Sequence, residues 1–205
     1  EASGVPVQIG YPRRFDAAFV EARRAGASGE LGFVHTVRST TMDPGPPPDA
    51  YIASSGGIFR DCNVHDFDAV RFVTGQEVVE VYATGSNQGS PVFAEHGDVD
   101  TAASILTLDS GALAIVSGAR YNARGHDVRL EVHGSKGLLK AENVPETTVV
   151  LATEAGITAD PVQNFFLERY ARAYREELRH FIEAIEGGTA PVPSAPTSRR
   201  TSSRD

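Results

Sequence analysis

The stretch "SSGGIFRDCNVHDFDAVRFVTG", residues 54–75, decides how the rest of the chain is read. Its apolar residues Ile58, Cys62, Ala69 and Phe72 recur at helical spacing and Gly75 supplies a stop, so the segment reads as a helix. Positions four apart share a helix face, which makes Asp61 and His65 project together. A carboxylate beside an imidazole can orient the ring, select its tautomer and raise its pKa, and this equips a histidine as a general base. The same two side chains could instead supply two metal ligands, with Asp66, His35 or Asp43 as third partners. They could also be an acid and a histidine that merely hydrogen-bond on an ordinary helix. The pair alone does not choose among the three.

Toward the N-terminus, residues 1–4 read as the end of a helix stopped by Gly4, and "VPVQIGY", residues 5–11, as a short buried strand. A domain rarely starts on the tail of a helix that feeds a buried strand, so residues 1–11 are expected to be the remnant of a preceding domain. Residues 15–25 form a helix closed by Gly26, residues 33–41 an alternating strand, and "GPPP" at 45–48 a rigid extended loop. Beyond Gly75 the period changes to two. Residues 77–84 are a strand, residues 99–108 and 112–121 flank the hairpin signal "DSG", and residues 127–133 and 138–141 flank "GSKG". Residues 147–151 add one more strand. Residues 165–185 form a long helix with Phe166, Tyr170, Tyr174, Leu178, Phe181 and Ile185 on one stripe. Residues 193–205 are polar and structureless by composition. The order is that of an α+β domain over residues 12–192, an open, mainly antiparallel sheet with helices on one face. Its strand at 102–108 is apolar on both faces, as at Ile105 and Leu106, so a second copy is expected to cover the outer face and make a homo-oligomer.

Composition narrows the partners. The chain has 205 residues, 40% of them hydrophobic and 22% charged, which reads as a soluble globular domain with a real core. The net charge of −8 and the lack of a Lys/Arg cluster argue against nucleic acid. No apolar run approaches the ~20 residues that span a bilayer, and the first residues do not read as a signal peptide. Cys62 is the single cysteine, so no internal disulfide forms and a cytoplasmic setting is expected. Of 19 basic residues only Lys136 and Lys140 are lysines, so a catalytic lysine has few places to be.

Five segments, "GYPRRFDAAFVEARRAG", "SSGGIFRDCNVHDFDAVRFVTG", "GDVDTAASILTLDSGALAIV", "DVRLEVHGSKGLL" and "FFLERYARAYREELRHFIEAI", resemble in this order the glucose-fructose oxidoreductase / inositol dehydrogenase / rhizopine-catabolism family (Gfo/Idh/MocA), closest to its inositol 2-dehydrogenase branch. The resemblance covers about residues 1–192, and its most specific part is G-G-x-x-x-D-x-x-x-H-D, met by Gly56, Gly57, Asp61, His65 and Asp66. It implies an N-terminal Rossmann domain that binds NAD or NADP, a C-terminal α/β domain with an open sheet, and oligomers built on those sheets. It implies that His65 takes the proton from a polyol or sugar hydroxyl as hydride leaves the same carbon, and that Asp61 supports it and binds substrate. Asp43 resembles a polar substrate-side position, and His126 stands where the inositol branch often has a tyrosine.

The chain also departs from the family. It has no E-K-P motif, whose lysine completes the family's site, and both its lysines fall in or beside the "GSKG" turn. No two glycines lie two apart, so the G-x-G-x-x-G phosphate loop cannot be built. The chain alone is therefore not expected to bind a dinucleotide. The family's final helix is replaced by "SAPTSRRTSSRD". Other candidates read as ordinary: His35 and His133 as structural strand residues, His96 and His180 as solvated, Arg120 and Arg124 as surface residues, and Cys62 as core, pointing away from the Asp61/His65 face. The resulting expectation is the C-terminal, substrate-binding half of an NAD(P)-dependent oxidoreductase, inactive alone. The alternatives are a non-catalytic polyol-binding or dimerisation module and, behind it, a metal-dependent hydrolase or isomerase.

Overall fold

Residues 34–42 alternate in burial, with Val37, Ser39 and Thr41 turned inward, and they form an interior strand of the sheet. A computed structural model describes residues 5–193. A 3-10 turn at Pro12–Phe15 leads into α1 (Ala17–Ser28), β1 (Val34–Met42), three short helices α2 (Asp49–Ser55), α3 (Ile58–Asp61) and α4 (Val64–Thr74), and β2 (Val78–Ser86). There follow α5 (Val92–Glu95), β3 (Thr101–Leu108), β4 (Leu113–Ala119), β5 (Asp127–Gly134), β6 (Leu138–Ala141), a separate hairpin of β7 (Val150–Thr153) and β8 (Gly156–Ala159), then α6 (Phe166–Arg169) and α7 (Ala171–Glu186).

The main sheet has the order β2-β3-β4-β1-β5-β6. Only β1 and β4 pair in parallel; the other neighbours are antiparallel. A parallel pair needs a crossover, and the chain from α2 to β3 supplies it. The fold is thus the expected α+β class. Helices cover one face: Phe19 and Ala22 of α1 and Ala69, Val70 and Val73 of α4 share a core with Val37, Leu106, Val116, Leu130 and Val132 of the strands. Each fully buried valine, leucine or phenylalanine among them contributes roughly 1.5–3 kcal/mol. On the other face Tyr82, Ile105, Leu113 and Ile115 remain exposed.

Several expectations are corrected. The helix read at 54–75 is three pieces. Gly56 closes α2 at φ 83° and Gly57 opens α3 at φ 88°, two successive left-handed positions that only glycine takes without strain. A second irregularity falls at Cys62–Asn63, where the N–H groups of both residues reach back to the Ile58 carbonyl. Residues 5–11 are not a buried strand: Val5 and Val7 are exposed and only Gln8 forms a single bridge. The helix expected at 15–25 starts later, because the Asp16 side chain accepts the Ala18 N–H as its cap, and it runs on to Gly29. Gly26 does not stop it but allows close packing, since a Cβ there would lie 2.6 Å from the Val73 carbonyl oxygen on α4. The long helix is broken at Tyr170, and its stripe is only partly core, with Leu178 and Ile185 exposed. The strand expected at 147–151 begins at Val150 and pairs with β8, which the sequence reading did not identify. The expectations for residues 1–4 and for 194–205 lie outside the described residues.

Candidate active site

The ends of these elements converge on one cavity of about 680 Å³. Arg13 comes from the 3-10 turn, Thr41 and Asp43 from the end of β1, Tyr51 from α2, Asp61 and Cys62 from α3 and its end, and His65 from α4. Arg120 follows β4, His126 precedes β5, and Phe165, Phe166, Tyr170 and Tyr174 close the far side. All four residues singled out as site candidates, Asp43, Asp61, His65 and His126, therefore line the same wall system.

The glycine pair of the motif has a structural cause. Besides its positive φ, a Cβ at Gly57 would come 2.9 Å from Asp98 Oδ1, the atom that accepts the N–H groups of Ile58 and Val99. Asp98 thus fixes the start of α3, and α3 presents Asp61. Gly118 on β4 gives room to Asn63, whose Nδ2 would otherwise stand 2.5 Å from a Cβ. This lets the α3–α4 junction sit directly on the sheet.

Asp61 and His65 both reach the cavity, but they are not the hydrogen-bonded pair that four-residue spacing suggested. Asp61 Oδ1 accepts from Tyr51 Oη at 2.6 Å and Oδ2 from Arg120 Nη2 at 2.6 Å. The bond with Asp61 pushes the Tyr51 phenol up to about 12. His65 Nδ1 is buried with no hydrogen-bond partner, and the ring meets the edge of Tyr11 at 6.0 Å between centroids. Its pKa is lowered, not raised. Burial is the main cause and the Arg13 guanidinium the next, and together they outweigh Asp66, Asp61 and Asp68. Asp61 is not its hydrogen-bond partner because, across the break before α4, it is committed to Tyr51 and Arg120. The imidazole is left neutral at pH 7.

Two arginines were missed. Arg120, expected on the surface, is 2% exposed. Its Nη1 lies 3.3 Å from Asp43 Oδ2 and 2.8 Å from Cys62 Sγ. Burial would push Asp43 upward, but His126 and Arg120 hold its carboxyl below the usual range. His126 Nδ1 stands 3.5 Å from Asp43 Oδ1, an ion-pair separation when the ring is protonated rather than a formed hydrogen bond. Cys62 is core as expected, packed with Ile58 and Ala102, but it does not point away: it also lies on the cavity wall, its thiol pushed up by burial and then by Asp43. Arg13 is buried and donates to Asp66 Oδ1 at 2.7 Å and to Thr41 Oγ1 at 2.5 Å. The one sequence signal for these cations was the "RRFD" run, with Arg14 clamping Asp68 by Nε and Nη2.

Asp66, one proposed metal ligand, is thus committed to Arg13, and His35 lies in an exposed position beside His133 on the sheet. Among the described residues no group of three or more His, Cys, Asp or Glu could hold a metal ion, and no helix is long and apolar enough to cross a membrane. The sequence has no glycine loop, and the passage from β1 to α2 runs through Pro46, Pro47 and Pro48, which have no N–H to offer a pyrophosphate.

An open, mainly antiparallel sheet with helices on one face and a cavity where Asp43, Asp61, His65 and His126 converge is the architecture of the C-terminal domain of an oxidoreductase family. A family model described as the GFO/IDH/MocA C-terminal domain matches residues 19–140, and the chain belongs to this family. It is 46% identical over 185 residues to myo-inositol 2-dehydrogenase of Thermotoga maritima, covering 90% of this chain and 55% of that protein. It is 44% identical over 188 residues to inositol 2-dehydrogenase of Rhizobium meliloti, covering 92% and 57%. Among solved structures, scyllo-inositol dehydrogenase of Lactobacillus casei with bound NAD(H) and scyllo-inositol superposes with a TM-score of 0.77 at 33% identity, covering 91% of this chain and 56% of that one. The chain therefore spans little more than half the length of the relatives it matches.

Proposed function

We propose that this chain is the substrate-binding half of an NAD(P)-linked inositol-dehydrogenase-like oxidoreductase, acting on a cyclic polyol or sugar in a cytoplasmic setting. The observation that carries the reading is the convergence of Asp43, Asp61, His65 and His126 on one cavity, with His65 neutral and unpartnered at Nδ1. His65 is the base that takes the hydroxyl proton. Asp61 and Asp43 accept hydrogen bonds from ring hydroxyls, and His126 adds a polar group beside Asp43. A nicotinamide held by a separate Rossmann domain would supply the hydride acceptor. The test joins a Rossmann domain of the Thermotoga relative, ending at its own E-K-P, to Glu1 and assays oxidation of myo-inositol. Activity that appears only with an added divalent metal would favour a metal enzyme instead. Absence of activity together with polyol binding would favour a non-catalytic module.

Two expectations accompany this reading. The chain alone should not bind a dinucleotide, because its sequence has no glycine loop and the turn from β1 to α2 carries prolines in place of N–H donors. Titration with NADH followed by its fluorescence should show no saturation; micromolar binding would remove the idea of a cofactor-free half. The chain should also self-associate through the open sheet face around residues 99–121. Tyr82, Ile105, Leu113 and Ile115 form an exposed apolar area there of the kind that marks interfaces. Light scattering at micromolar concentration should report a dimer or larger, and Ile105→Lys should shift it toward monomer. A wild-type monomer would refute the assignment of that face.

A further inference from the structure

The cavity floor carries two carboxylates bridged by a single buried cation. Asp43 and Asp61 come from different elements, yet both Oδ2 atoms meet the same guanidinium, at 3.3 Å and 2.6 Å. The backbone that carries the guanidinium is fixed. The Arg120 N–H donates to the Asp100 carbonyl at 2.8 Å, and the Asp43 N–H donates to the neighbouring Ala119 carbonyl at 2.9 Å. The parallel pairing of β1 with β4 thus sets both the cation and one of its anions. The other anion arrives on α3, where Asp98 fixes the helix start. The Arg120 side chain is nearly sealed, while both carboxylates keep some exposure toward the cavity.

We propose that Arg120 is a positioning residue: inserted between Asp43 and Asp61, it holds both carboxylates charged and fixed, so that the floor offers paired acceptors to neighbouring hydroxyls of a bound polyol. The polyol clause rests on the function proposed above; the electrostatic clause does not. An ionised carboxylate only accepts hydrogen bonds, whereas a protonated one donates. Two carboxylates sharing a partly dry site without a cation repel each other, and the repulsion raises the midpoint of at least one. As that midpoint rises, the floor comes closer to offering a hydroxyl-bearing ligand a donor in place of an acceptor. A planar fork spans two anions in a way that an ammonium cannot. The other groups facing this cluster are Tyr51 from α2, Cys62 at the end of α3, and His126 before β5, with His65 and Arg13 across the cavity. The first two are neutral at pH 7, their ionisation displaced upward. Arg120 is thus the cation in direct contact with both acids.

The test uses the full chain. The side-chain carboxyl carbons of Asp43 and Asp61 are followed by NMR against pH in the wild type, Arg120→Met and Arg120→Lys, and myo-inositol binding is measured by calorimetry at pH 7. In Arg120→Met at least one carboxyl midpoint should rise by about one pH unit or more, the usual size of losing an opposite charge at contact. Arg120→Lys should recover much of that midpoint, because it restores the charge. It should still bind myo-inositol about 10-fold more weakly, because it loses the fork. A merely structural arginine would change thermal stability and leave both midpoints where they were, and that result in a folded Arg120→Met overturns the proposal. Should Arg120→Met not fold, Arg120→Lys decides: wild-type midpoints with wild-type binding overturn it. A wild-type chain that ignores myo-inositol and other cyclic polyols defeats the polyol reading, while the midpoints still judge the role of Arg120.

Discussion

Replacing His65 with alanine, in a chain rejoined to a cofactor-binding half, is expected to lower kcat about 10²–10⁴-fold, the contribution of one positioned acid–base group. The geometry explains why the loss should fall on kcat. His65 Nδ1 is buried without a partner, so removing the ring breaks no hydrogen bond in the resting protein. Burial and Arg13 hold the imidazole below its ordinary pKa of about 6.5. The sign follows directly. A depressed pKa means that the ring has already lost its proton at neutral pH, so the rate should rise along an acid limb below the ordinary histidine value and be flat near pH 7. Arg13 also makes the base weaker, and the carboxylates around the cavity stabilise the imidazolium once it forms. Asp61→Asn should therefore lower the rate as well, since an amide carries no charge and would set an NH₂ or a weaker acceptor against Arg120. Initial rates of myo-inositol oxidation against pH check all of this. If the His65→Ala fusion keeps the activity of its parent, the histidine is a wall residue and the assignment of the base is wrong.

What the sequence made legible was local. Strand periodicity located every strand of the main sheet; the interior strands have one helix-covered face, and a repeat of two is the signature of that asymmetry, while the edge strand β2 is exposed almost throughout. The parallel pairing of β1 with β4 was not legible. It places Asp43 next to Arg120, residues 77 positions apart, and no periodicity encodes such a register. Helical spacing pointed to Asp61 and His65 but not to their relation. Apolar residues at 58, 62, 69 and 72 are compatible with one helix, and the break at Cys62–Asn63 is set by tertiary contacts of Asn63 with the sheet. The buried arginines illustrate the same limit. A lone arginine is mostly a surface residue, and only the acids brought to it by the fold make burial tolerable. Of the small β7–β8 hairpin only the first strand was read, and with displaced bounds; both strands are exposed throughout and carry no burial pattern.

Asp66→Ala is expected to be the most destabilising of the substitutions considered, by about 3–5 kcal/mol, the size seen when one partner of a buried ion pair is removed. Asp66 is fully buried, and its Oδ1 accepts from Arg13 at 2.7 Å, Ser39 at 2.6 Å and Thr41 at 2.9 Å. Its Oδ2 accepts from Asn63 at 3.3 Å. One carboxylate therefore ties the 3-10 turn, β1 and the α3–α4 junction together. Alanine would leave the Arg13 charge in the interior without an anion and strand three further donors, each costing about 1–3 kcal/mol when left unsatisfied, though these costs overlap. A domain of this size has only about 5–15 kcal/mol to lose, so the variant should be partly unfolded at 37 °C. Arg13→Met combined with Asp66→Ala should recover part of the loss, because the uncompensated charge goes with its partner. Glu77→Ala, which breaks the exposed pair with Arg71, should hardly move the urea midpoint. Equal midpoints for Asp66→Ala and Glu77→Ala would show that Arg13 finds water when its anion is gone, and that this end of the cavity is wetter than its burial indicates.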